Sequence, residues 1–316
     1  MSDAVLAIPS SPLQRIPGVA IMLVLLLALF GIAAPGFLSA ANIANVLVQS
    51  TLLLMLSLPM TLIIMTEGLD LSMGAVLTLT SLAVAIVSVA TGSMLLGLGA
   101  AVAVGLAFGV TNGWLVAVVG IPPFVATLGT LGIAQGLALI VSDGQSVVGI
   151  PRSVSGIYSA ALFGLPVPIL LAGLAYLGFY GLLYHTRFGT YVFALGGNRE
   201  ALSYAGLSPT KLLVVVYAIG GAMAGVAGLL MTARMNAGHP TAGLGLEFDA
   251  IAAVAVGGTS FERGNGWLFG TALGVLAVGV LRNGLNLLAL PSSVQVASIG
   301  VLVILALFLD GLRSRS

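Results

Sequence analysis

Residues Ile43 to Thr66 read IANVLVQSTLLLMLSLPMTLIIMT, a run without one charged side chain. Wound as an α-helix rising about 1.5 Å per residue, it is long enough to cross the roughly 30 Å hydrocarbon core of a bilayer. It is far too long for a barrel strand. In lipid every backbone N–H and C=O must be bonded within the chain, so this run and others like it dictate a helical bundle. Working outward, apolar runs bounded by turn or charged residues recur at Gly18 to Ala34, Leu71 to Ala90, Met94 to Val119, Phe124 to Val141 and Pro166 to Tyr184. After the polar stretch Arg187 to Lys211 come Leu212 to Ala233, the short Ala250 to Val256, Trp267 to Leu285 and Val294 to Leu309. The expectation is an all-α integral membrane protein, one transmembrane domain over residues 1–316 with about ten spans, some of them short or broken.

Composition points the same way. The chain is 59% hydrophobic and 6% charged, against roughly 25% charged in a soluble domain, so lipid is the natural solvent for its surface. The net charge is +1 with the cations spread along the chain, which leaves no patch for nucleic-acid phosphates. The absence of cysteine removes disulfides and thiolate metal sites. The sole lysine, Lys211, follows Thr210, so there is no G-x-x-x-x-G-K-S/T phosphate loop and the chain is not a P-loop ATPase. No nucleophile elbow or H-E-x-x-H pair is present. No cofactor, no metal and no enzymatic role are expected. His185 and His239 read as ordinary surface residues, and Met55, Met60 and Met65 as packing. Gly18 to Ala34 is long for the apolar part of a signal peptide and is read as the first span.

With a cytoplasmic N-terminus, the inside segments hold Arg15, Arg187, Arg199, Lys211, Arg263, Arg313 and Arg315, and the outside loops or span ends hold Arg152, Arg234 and Arg282. This asymmetry favours segments 1–17, 186–211 and 310–316 on the cytoplasmic side. An internal repeat fits that layout. Gly68-Leu69-Asp70-Leu71-Ser72 resembles Gly245-Leu246-Glu247-Phe248-Asp249. Gly105, Phe108, Gly109 and Gly113 find counterparts in Gly266, Phe269, Gly270 and Gly274, and Ile121-Pro122 in Leu290-Pro291. The matched spans lie five apart, an odd number, so the halves would thread the membrane in opposite directions. That is the five-plus-five inverted repeat of many transporters. The short eighth run can be a broken crossing or a re-entrant half-helix; a crossing keeps the basic C-terminus inside.

Asp70 and Glu247 open apolar helices, where an ionisable group at membrane depth is costly. Capping of the helix start competes with solute contact as their role, and Ser72 and Asp249 are plausible N-caps. Asn112, Thr127, Thr130, Gln135 and Asn286 are neutral polar groups suited to sugar hydroxyls or to interhelical bonds, and Phe124 could supply an aromatic surface. The glycine ladders allow close helix packing, or sliding between two states. In the polar stretch Gly197, Asn198, Arg199, Glu200 and Ala201 start a short helix-like run closed by Gly206 and Pro209, a compact handle for a cytoplasmic partner.

Four stretches carry a resemblance: EGLDLSMGA (Glu67 to Ala75), IPPFVATLGTLGIAQGLALI (Ile121 to Ile140), TRFGTYVFALGGNREALSYAGLS (Thr186 to Ser208) and GLGLEFDAIAAVAVGGTSFERGNG (Gly243 to Gly266). With them the chain resembles the permease subunits of ribose- and xylose-type sugar ABC importers. The resemblance implies a homodimer in the bacterial inner membrane, a cytoplasmic ABC ATPase docked on the handle and a periplasmic solute-binding protein. Glu200-Ala201 with Gly206 is similar to the coupling pattern E-A-A-x-x-x-G, with Leu202 in place of the second alanine. Arg263 and Asn265 depart from the small, uncharged residues usual in the last stretch. Branched-chain amino acids or nucleosides as solute, and an ion-coupled secondary transporter using Asp70 or Glu247, are the alternatives.

Overall fold

The computed structural model describes residues 18–259 and 264–313. The expected N-terminal segment 1–17 and Arg263 lie outside the described residues. In chain order the helices are α1 (Gly18–Ala33), α2 (Ala40–Met65), α3 (Met73–Thr91), α4 (Met94–Trp114), α5 (Pro123–Val141), α6 (Arg152–Ser159), α7 (Val167–Tyr184), α8 (Arg187–Gly197), α9 (Arg199–Tyr204), α10 (Pro209–Met235), α11 (Leu246–Val256), α12 (Leu268–Leu287) and α13 (Ser292–Arg313). One π-helical turn, Leu115–Val119, prolongs α4. Each of the ten apolar runs therefore lies in a helix. Seven of these helices are long and apolar enough to cross a membrane: α2, α3, α4 with its π turn, α5, α7, α10 and α12.

The boundaries differ where polar groups cap or charge a helix end. Helix α10 starts at Pro209 because Ser208 Oγ accepts the Lys211 N–H at 3.3 Å and proline suits the first turn. Helix α11 starts at Leu246, ahead of Glu247 and Asp249, since carboxylates are favoured beside the free N–H groups of a first turn. The segment given to the C-terminal tail begins inside α13, which runs to Arg313. Two elements fall in regions read as loop: α6, and α8, whose buried face is Gly189, Val192, Leu195 and Gly196. The all-α expectation needs one small correction, an antiparallel hairpin pairing Ala161–Leu162 with Leu165–Pro166 around Phe163 and Gly164.

Helix α2 is the innermost element. Every residue from Met55 to Met65 is buried, including Pro59, and α7, α10, α11 and α12 all pack on it. From Met55 onward the helix is surrounded by protein and needs no charged face, which fits its lack of charged residues. The glycine ladders are contact surfaces. A side chain at Gly105, Gly109 or Gly113 of α4 would collide with the α10 backbone at Gly221, at Tyr217 and Ala218, or at Val214. On α12, Gly270 faces the Gly257 backbone and Gly274 the Ala253 carbonyl of α11, while Gly266 lies against the Met65 side chain.

Gly109→Val is expected to cost about 1–3 kcal/mol through overpacking, read as a lower unfolding temperature of the detergent-solubilised protein. Gly99→Ala on the same helix, where an added methyl meets nothing within 4 Å, is expected to leave that temperature unchanged or raise it.

Candidate functional site

Between α2 and α3 the chain leaves helical form at Thr66 and re-enters it at Met73. Glu67 takes a positive φ of 59° and is exposed; the rest of the turn is inside the protein. Asp70, 2% exposed, accepts the Ser72 N–H at 2.8 Å and the Ser72 hydroxyl at 2.6 Å on the same Oδ1. Asn112 Nδ2 of α4 donates to Ser72 Oγ at 2.8 Å, and Thr130 of α5 donates to Asn112 Oδ1 at 2.7 Å. Thr127 Oγ1 accepts the Leu71 N–H at 3.1 Å and donates to the Pro123 carbonyl at 2.8 Å. Tyr217 of α10 donates to the Leu69 carbonyl at 3.3 Å.

Four residues expected along a path, Asp70, Ser72, Asn112 and Thr127, thus meet in one buried relay. The void beside them does not admit a water molecule. Their bonds hold the start of α3. Ser72 stands at the N-cap position, but its hydroxyl turns to Asp70 instead of capping the helix.

The second pentapeptide packs against the first turn of α3, just beyond the first pentapeptide. From the end of α10 the chain runs along α3, with Gly238 against Ala85 and Leu82, and Gly243 against the Gly74 carbonyl. The Gly243 N–H donates to Thr78 Oγ1 at 2.9 Å. Consequently α11 begins beside the first turn of α3, and the Glu247 carboxylate lies in the space that a side chain at Gly74 would fill. Glu247 Oε1 accepts the Gly245 N–H at 3.2 Å, while its buried Oε2 has no protein partner. Gln135 is committed elsewhere: its amide donates to the Pro240 carbonyl at 2.8 Å and holds the descending loop. The same loop pairs Gly238 with Val147, and His239 with Ser146. Phe124 is 52% exposed on the bundle surface and has no place in either cluster.

Asp249 does not cap α11, whose N-cap is Gly245. It forms an ion pair with Arg282 of α12, a residue placed among the outer cations by the sequence. The pair borders a cavity of about 260 Å³ between α2, α10, α11, α12 and α13. Gln49, Ser50, Arg234, Asn286 and Gln295 line it as well. Asn286 is the one of these recognised from sequence as a solute candidate. Arg282 is the one charged residue within its apolar run, which is the signal that could have found it.

At the other end of α10, α9 forms a short helix whose N-cap, Asn198, accepts the Ala201 N–H on Oδ1 at 2.9 Å. Gly206 follows it with a φ of 78°. Gly197, Asn198, Arg199, Glu200 and Ala201 are exposed, and so is Tyr204 at 89%. Leu202 is buried against Leu195 and Leu213, with Leu207 and Leu212 beside them, so the departure from alanine anchors α9. Gly196 lies against the Met65 carbonyl and Gly264, joining the end of α8 to the end of α2.

A family model described as "Branched-chain amino acid transport system / permease component" matches residues 42–307. The chain belongs to this permease family. The match takes in the α3 entry, the Asp249–Arg282 cavity and α9. The permease is 36% identical over 299 residues to the ribose import permease protein RbsC of Escherichia coli (strain K12), covering 92% of each chain. It is 37% identical over 300 residues to the D-allose transport system permease protein AlsC of that strain, covering 94% of this chain and 92% of the relative. With the L-arabinose ABC transporter permease protein AraH of Azospirillum brasilense it shares 30% identity over 298 residues, 94% and 87% of the two chains. No solved structure matches the permease at a significant level.

Asn112→Ala in the permease removes the buried amide that donates to Ser72 and accepts from Thr130. It is expected to lower stability by about 1–3 kcal/mol, measured by thermal unfolding in detergent, whereas Phe124→Ala at the exposed position changes it little.

Proposed function

We propose that this permease is the membrane-spanning subunit of an ATP-driven importer that carries a monosaccharide across a bacterial inner membrane. The observation that carries the reading is similarity along nearly the whole length of both chains to proteins named for ribose, D-allose and L-arabinose. The chain has no phosphate-binding loop, so hydrolysis belongs to a separate cytoplasmic ATPase. A periplasmic binding protein delivers the sugar and a second permease copy completes the pathway.

Ten crossings with both termini cytoplasmic, in a five-plus-five inverted repeat, suit this work. Mirrored packing supports the repeat: α3 on α4, α5 and α10 corresponds to α11 on α12, α13 and α2 under the five-span shift. The contact of Gly74 with Glu247, at the starts of the related helices α3 and α11, lies where an axis between the halves would pass. The ladder partners do not follow that correspondence, since α4 presents its glycines to α10 and α12 presents its own to α11. Helix α9 is the handle for the ATPase. Its exposed residues Asn198, Arg199, Glu200 and Ala201 offer the contact, and closure of the ATPase moves the handle so that the halves reopen toward the opposite side. The ATPase supplies work through its different affinities for the two permease states. An ion-coupled mechanism through Asp70 has less support, because Asp70 is already engaged by Ser72.

Proteoliposomes holding the permease, its ATPase and its binding protein are expected to accumulate at least one of D-ribose, D-allose and D-xylose in an ATP-dependent way. Accumulation of L-leucine alone would transfer the assignment to amino acids. Uptake that persists without ATP and collapses with the proton gradient would select an ion-coupled carrier. Glu200→Lys is expected to abolish uptake with normal membrane insertion. A thiol reagent is expected to label Tyr204→Cys from the cytoplasmic face; labelling from the periplasm would overturn the orientation.

A further inference from the structure

The cavity beside the Asp249–Arg282 pair has the makings of a solute seat. Its volume of about 260 Å³ lies just below the roughly 300–1,000 Å³ of sites for drug-sized molecules, the scale of a single sugar ring. Leu52, Leu53 and Leu246 give it an apolar wall for the C–H face of such a ring.

Beneath the cavity wall two polar groups are unpaired. Ser50 is 5% exposed and its hydroxyl has no partner; Arg282 Nε is likewise buried and unpaired. Buried polar groups without partners are uncommon because each costs the desolvation of that group. Gly279 opposes Ser50, and a side chain there would collide with the hydroxyl. The amides of Gln49 and Asn286, both on exposed residues, add donors and acceptors.

The charge arrangement selects among solutes. Asp249 and Arg282 neutralise one another at the floor, and Arg234 is exposed, where solvent screens it. A neutral ring with adjacent hydroxyls suits this floor, one hydroxyl donating to Asp249 and another accepting from Arg282. An anionic solute would have to compete with Asp249 for Arg282.

We infer that this cavity is a binding seat for one neutral pentose or hexose, a site that rests on the monosaccharide reading above. Asp249 accepts, Arg282 donates, and Gln49 and Asn286 complete the set.

The test is binding of radiolabelled D-ribose, D-allose and D-xylose to the full-length permease in nanodiscs, alongside uptake by the complete importer. Asp249→Asn keeps the shape and removes the charge; Asn286→Trp fills the cavity from an exposed position and spares the buried pair. For the sugar that the wild-type importer carries, both are expected to weaken binding by about tenfold or more, the loss of a hydrogen bond to a charged group or of the space for the ring. If Asp249→Asn does not accumulate in the membrane, Asn286→Trp decides. Wild-type binding by Asn286→Trp would remove the seat while leaving the importer reading intact. An importer that moves none of the three sugars would instead remove the functional reading itself. Tighter binding of D-ribose 5-phosphate than of D-ribose would overturn the neutral-solute assignment.

Discussion

Lipid tails are as apolar as leucine, so burying leucine between two membrane helices gains little. What holds such helices together is what lipid cannot replace: backbones brought into direct van der Waals contact, and polar groups paired across the interface. In this chain the first device is the α4–α10 contact, where Gly105 and Gly109 meet Gly221. The second ties the innermost helices to their neighbours. Asn42 and Asn283 exchange amide bonds at 2.9 and 3.1 Å, Thr61 shares a hydroxyl bond with Thr271 at 2.8 Å, and Ser81 shares one with Thr232 at 2.9 Å. Because α12 and α10 are fastened in this way to α2 and α3, the irregular entries to α3 and α11 are held between fixed walls.

Those entries show how surroundings decide the role of a buried carboxylate. Asp70 is bonded by its own turn and, through Ser72, by α4 and α5; it organises a helix start. Asp249 lies one turn inside α11 and meets a guanidinium from α12 beside an open cavity. Glu247 rests against Gly74 with one oxygen unpaired. Three acids at comparable burial therefore sit in three different settings, set by which helix lies opposite.

The helices were legible because long uncharged runs in lipid admit few structures. Helix α9 was legible as well, since Asn198 and Gly206 carry the chemistry of a cap and a left-handed turn. Less visible were features created only by contact between distant segments. Nothing local to Arg282 says that it turns back to Asp249, and nothing local to Gln135 says that its amide belongs to the Pro240 carbonyl. Helix α8 was hidden because it is short, three glycines interrupt it and its buried face is half glycine. Phe124 read as a stacking surface, yet α5 turns it outward, a choice that depends on which face of α5 packs on α3.

The meeting of Gly196, Gly264 and the Met65 carbonyl has a mechanical consequence. Side-chain contacts yield, because rotamers can absorb a displacement of an ångström or so. Backbone resting on backbone has no such slack. Where the end of α8 meets the foot of the most deeply enclosed helix, neither side can shift without moving the main chain of the other.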